Sequence, residues 1–88
     1  MKHVGEICVE INETLERKNR DYGNSFSEQF KEYGLVSSCI RLEDKMRRLK
    51  KLVMSGERHV KDESIRDTLL DMAGYAILTI NELDNTIE

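Results

Sequence analysis

Four residues of the stretch LVSSCIRLEDKMRRLKKL, namely Arg41, Asp44, Lys45 and Arg48, recur at i, i+3, i+4 and i+7. On an α-helix residues so spaced project from one face. Two chemistries fit that face. Asp44 can pair with Arg41 and Arg48 in water, worth only about tenths of a kcal/mol per pair. Alternatively the basic groups can meet phosphate oxygens, which a guanidinium fork matches. A second set lies in DESIRDTLLDMAGYAILTINEL, where Asp67, Asp71, Tyr75 and Leu78 form a stripe and Asp71 stands in the most apolar part. An unpaired buried carboxylate costs several kcal/mol. Asp71 is therefore expected to face Arg41, Lys45 or Arg48 across antiparallel helices. Such a pair either sets helix register or walls a pocket in which carboxylates hold a hard divalent cation and cations hold phosphate.

The third set is a polar corner, RKNRDYGNSF, at residues 17–26. Gly23 suits a left-handed backbone and Asn24 often shares that tolerance. A turn has no need of Lys18, Asp21 and Tyr22. An aromatic ring beside amides and cations is what base stacking and phosphate contact use. The competing reading is a staple in which Tyr22 and Phe26 close the corner over the core.

Helices must position these sets. Val4, Ile7, Cys8, Ile11 and Leu15 follow helical spacing, which predicts a first amphipathic helix over about residues 3–19. Ser25 and Glu28 have capping-box spacing ahead of a short helix bearing Phe26, Phe30 and Tyr33, stopped by Gly34. The third helix carries Cys39, Leu42, Met46, Leu49 and Val53 on one stripe and ends at Gly56. After a charged loop, ERHVKD, Asp62 or Ser64 would cap a last helix over roughly 63–84. That helix is apolar almost all round from Met72 to Ile80, as expected of the element at the centre of a bundle. The expected architecture is all-α, one domain over 1–88, with three long helices and one short.

A chain of 88 residues buries only roughly 60% of its unfolded surface, so its core is thin and completion by homo-oligomerisation is expected. The net charge of −3 argues against gripping nucleic acid through the whole surface. No apolar run approaches the ~20 residues of a membrane helix, which points to a cytoplasmic protein without a membrane partner. Cys8 and Cys39 fall on apolar faces and read as small buried hydrophobes rather than a disulfide. His3 and His59 lack the partners of a zinc site, and Ser25, Ser37 and Ser38 lack the histidine of a nucleophile.

Taken in order, KNRDYGNSF, LVSSCIRLEDKMRRLKKL and DESIRDTLLDMAGYAILTINEL resemble the nucleotide modification associated domain 1 family, small helical proteins common in phages and prophages. The likeness covers residues 11–83. More distantly the chain is similar to the MazG-like all-α NTP pyrophosphohydrolases, whose four-helix units oligomerise and cleave nucleoside triphosphates between the α and β phosphates with Mg²⁺. Those enzymes hold the metal with an E-x-x-E pair and a later E-x-x-D pair. Here Arg41, Asp44, Lys45 and Arg48 stand in place of the first pair, and Glu63, Asp67 and Asp71 are spaced by four. This departure counts against catalysis more than against nucleotide binding. In phages, small helical nucleotide-binding proteins also sequester cyclic or ADP-ribose-derived signals of bacterial immunity.

The leading expectation is a phage-type homo-oligomer, in the host cytoplasm, that binds a nucleotide or nucleotide-derived signal with no required cofactor. Its expected ligand-binding residues are Lys18, Asp21, Tyr22, Asn24, Arg41, Asp44, Lys45, Arg48, Asp71 and Tyr75. Arg41, Lys45 and Arg48 would meet phosphates, and Asp71 would orient a basic residue. The alternatives are a Mg²⁺-dependent pyrophosphohydrolase built on Asp44, Asp67 and Asp71, with Asp67 and Asp71 as metal ligands, and a structural interaction module.

Overall fold

A computed structural model describes residues 3–54 and 61–86. Its elements are α1 (Val4–Tyr22), α2 (Ser25–Tyr33), α3 (Leu35–Met54) and α4 (Lys61–Thr86), with no strand among the described residues. Three long helices and one short one are the architecture the periodicity predicts. The molecule is elongated, 46 × 27 × 23 Å.

Two glycines turn the chain. The α1 helix ends at Gly23, φ +68°, whose N–H donates to the Asn19 carbonyl, and α2 ends at Gly34, φ +70°, whose N–H donates to Phe30. Both sit in the backbone region that only glycine enters without strain. Asn24 does not share it, having φ −103°. The capping box is also corrected: Asn24 is the N-cap of α2 without a side-chain cap bond, and Ser25 is already helical. The last helix begins at Lys61, so Asp62 and Ser64 lie inside it rather than capping it. Gly56 and His59 lie outside the described residues.

The α3 and α4 helices pack antiparallel along a polar seam. Ser38 meets Thr79 (2.8 Å between hydroxyls), Arg41 lies over Tyr75, Lys45 reaches Asp71, and Arg48 Nε donates to Thr68 Oγ1 (3.2 Å). Residue numbers rise on one helix as they fall on the other. Ser38 and Thr68 are almost fully buried, and small hydroxyl side chains let the backbones approach. Thr68 and Thr79 donate back to the carbonyls of Ser64 and Tyr75, their own helix partners one turn earlier. No buried side-chain polar atom among the described residues lacks a partner, which removes the main penalty of a polar seam.

The α4 helix is central, touching each of the other three. Leu15 of α1 packs on Gly74, where an added Cβ would stand 3.3 Å from Leu15 Cδ2. Yet among the described residues Phe30 is the one buried apolar side chain. The α3 stripe of Cys39, Leu42, Met46, Leu49 and Val53 is half-buried or exposed throughout, so the seam with α4 is not made by the apolar stripe. Cys8 and Cys39 are free and exposed rather than buried.

Replacing Gly74 by Val should force α1 away from α4 and cost about 1–3 kcal/mol. Gly74→Ala should stay within about 1 kcal/mol, because the Leu15 tip can yield and alanine favours the helix. Urea denaturation of the two variants checks both expectations.

Candidate functional site

An open cleft of ≈ 960 Å³ runs between the second half of α1, the α1–α2 corner and one face of α4. Its floor is apolar, with Ile11, Leu15, Leu70 and Leu78 around Gly74. Ligand pockets commonly measure about 300–1,000 Å³. A nucleotide-sized molecule therefore fits.

Beside the α1–α2 corner Arg41 is held by three side chains. Its Nε–H donates to Gln29 Oε1 (2.7 Å), and its Cζ lies 5.1 Å from the Phe26 ring centroid and 5.3 Å from that of Tyr75. The rings are 6.3 Å apart with planes inclined by 15°. Each cation–π contact contributes about 0.5–1 kcal/mol where partly exposed. Their larger effect is to fix the guanidinium. Among the described residues its Nη groups take no hydrogen-bond partner, so a bidentate edge is left available in the cleft.

The first turn of α2 lines the same part of the cleft through Asn24, Ser25, Phe26 and Ser27. The helical bond from Glu28 N–H to the Asn24 carbonyl (3.0 Å) is the first of α2, which leaves the preceding N–H groups uncapped by the Asn24 side chain. Uncapped N–H groups at a helix start carry partial positive charge.

The α4 helix brings three carboxylates to the cleft, Asp67 and Asp71 on one side of Tyr75 along the helix and Glu82 on the other. Asp71 is neutralised as expected: Lys45 Nζ lies 3.2 Å from one carboxylate oxygen and Lys18 Nζ 3.7 Å from the other. One carboxylate thereby ties α1, α3 and α4 together. Nearby, Arg66 donates two hydrogen bonds to Glu10 (2.9 and 2.6 Å). The hydrogen bonding of Arg66 to the Glu10 carboxylate, then that carboxylate's charge, holds Arg66 protonated beyond its ordinary range.

The expected site residues are thus partly gathered. Lys18, Asn24, Arg41, Asp67, Asp71 and Tyr75 line the cleft. Lys45 touches it only through Asp71, and Arg48 spends its Nε on Thr68. Asp21 and Asp44 are exposed, and neither lines this cleft. Asp44 instead borders a shallow hollow with Glu43, Arg47 and Arg48 on α3, and makes no ion pair among the described residues. The side chain of Tyr22 lies outside the described residues. Phe26 stacks on Tyr75, and the clamp residue Gln29 carries no sequence signal. Glu82 does carry one, since it continues the Asp71, Tyr75, Leu78 stripe at the next helical step.

The carboxylates do not fit a Mg²⁺ cage. Both Asp71 oxygens face ammonium groups, Glu10 faces Arg66, and no cluster of three or more His, Cys, Asp or Glu able to hold a metal ion occurs among the described residues.

Fold and cleft define a small all-α domain with a preformed, aromatic-clamped polar cleft. Residues 18–83 match the family described as Nucleotide modification associated domain 1, and the chain belongs to it. No curated protein and no solved structure matches the chain.

Removing the charge with Asp71→Asn should release both lysines and cost about 1 kcal/mol, between an exposed and a buried pair. The midpoint of thermal unfolding should fall by about 4–8 °C. Asp44→Asn should leave it unchanged, and differential scanning calorimetry compares the two.

Proposed function

We propose that the chain binds a nucleotide or nucleotide-derived small molecule in this cleft and holds it without hydrolysis. The observation that carries the reading is Arg41, laid over both the Phe26 and Tyr75 rings and tied to Gln29, with its Nη edge free among the described residues. A guanidinium already fixed loses little side-chain entropy on meeting a phosphate, so more of the interaction appears as affinity. In this reading Arg41 and the first-turn N–H groups of α2 take the phosphates. Asp67, two helical turns from Tyr75 toward the start of α4, accepts hydrogen bonds from ribose hydroxyls or base amino groups, and the apolar floor carries the base. Asp71 positions Lys18 rather than touching the ligand.

The family description supports a link to nucleotides. Phosphates at one end and hydroxyl donors at the other describe a mononucleotide, a cyclic nucleotide or an ADP-ribose-type molecule. Holding without cleaving suits sequestration of such a signal, the anti-defence role a phage-encoded member would play in the cytoplasm of its host. Both Asp71 oxygens facing ammonium groups favour holding over metal-assisted cleavage.

Thermal unfolding and calorimetry against nucleoside mono-, di- and triphosphates, cyclic dinucleotides and ADP-ribose test this. Ligand at a hundred times its Kd should stabilise the protein by about 2.7 kcal/mol. Arg41→Ala should weaken binding at least tenfold. Arg41→Lys should restore the charge but not the fork, leaving an intermediate affinity. No stabilisation by any of these compounds at millimolar concentration would overturn the reading.

A further inference from the structure

The α3–α4 hairpin has a second side, away from α1 and α2, and that side is apolar. On α3, Leu35, Cys39, Leu42, Met46, Leu49 and Val53 are spaced by alternating steps of four and three. On α4, Ile65, Leu69, Met72, Ala76, Ile80 and Leu83 follow steps of four or three. Each stripe is rotated by about 100° from the polar seam residues of its own helix, given about 100° per residue. Because the helices are antiparallel, the two rotations bring both stripes to the same side. The polar seam faces the cleft, where Lys18 of α1 and Phe26 and Gln29 of α2 contact it.

None of these twelve side chains is buried. Val53 and Ile80 are 54% and 56% exposed, and Leu69 is 49% exposed. The chain exposes 7024 Å² for a mass of 10.3 kDa. A compact monomer of that mass exposes about 5,400 Å². The excess is spread over an elongated molecule, and Leu35, Met46, Val53, Leu69 and Ile80 of this face contribute to it.

We propose that two copies of the chain join through this face, forming a four-helix core with the two clefts outward. A second copy fits better than an unrelated partner for two reasons. A chain with one buried apolar side chain among its described residues lacks a core of its own, so the covering partner must be present whenever the chain folds. Both helices also carry the 3–4 spacing that packs against its like at about 20° in bundles, which makes the face self-complementary under a two-fold axis. The interface is the missing half of a core.

Sedimentation equilibrium of the full chain should give twice 10.3 kDa, and the thermal midpoint should rise with protein concentration. Cys39 lies on the face and Cys8 on α1 outside it. In the native protein a maleimide should therefore label Cys8 at least tenfold faster than Cys39. The double variant Met46→Glu, Leu69→Glu should shift the mass to that of one chain or abolish cooperative unfolding. Val9→Glu, on an exposed part of α1, should leave the assembly intact. A monomer with a concentration-independent midpoint would overturn the proposal, as would a dimer whose two cysteines react at equal rates. Nucleotide binding is read separately, so failure here leaves the cleft untouched.

Discussion

The carboxylate of Asp71 is the constraint on which the arrangement depends. It sits where α1, α3 and α4 meet, and it draws Lys45 from one side and Lys18 from the other. The ion pairs, the Ser38–Thr79 hydroxyl contact and the Arg48–Thr68 bond select one register together. That register places Arg41 opposite Tyr75. The cleft is therefore a consequence of how the seam is aligned, and its shape is set before any ligand arrives.

Polar pairing along the seam has a cost that the rest of the molecule displays. Side chains that would have made an apolar α3–α4 interface are turned to the flank, where they are half-buried or exposed. Within one chain the seam supplies geometry more than stability, because partly exposed pairs contribute about 1 kcal/mol or less each. The apolar flank is where further burial could add folding free energy. The cleft and the apolar flank thus lie on different sides of the same two helices.

Much of the fold was legible in the sequence because helical periodicity, Gly23 and Gly34 act locally. The pairing of Asp71 followed from the cost of an isolated charge in an apolar stretch. What periodicity could not show is which of two stripes on one helix meets the neighbour. Arg41, Lys45 and Arg48 read as a solvent or ligand face, and the Leu42, Met46, Leu49 stripe read as core. In the structure the basic stripe meets α4 through Tyr75, Asp71 and Thr68, beside the hydroxyls of Ser38 and Thr79, while the leucines stay half-buried. Gln29 was invisible for the same reason: its contact with Arg41 joins residues twelve apart across the α2–α3 turn. Asp44 and Asp21 are exposed and lie outside the cleft, a placement that residue type and spacing do not reveal.

The central claim is that the Arg41 end of the cleft holds phosphate. Proton–nitrogen correlation spectra during a titration with a nucleoside triphosphate test it most directly, because Arg41 Nε–H and the amides of Ser25, Phe26 and Ser27 report separately. The account predicts that these signals move together and saturate, while Glu43, Arg47 and Lys50 on the far side of α3 stay still. Shifts confined to that far side, or none at saturating ligand, would contradict it.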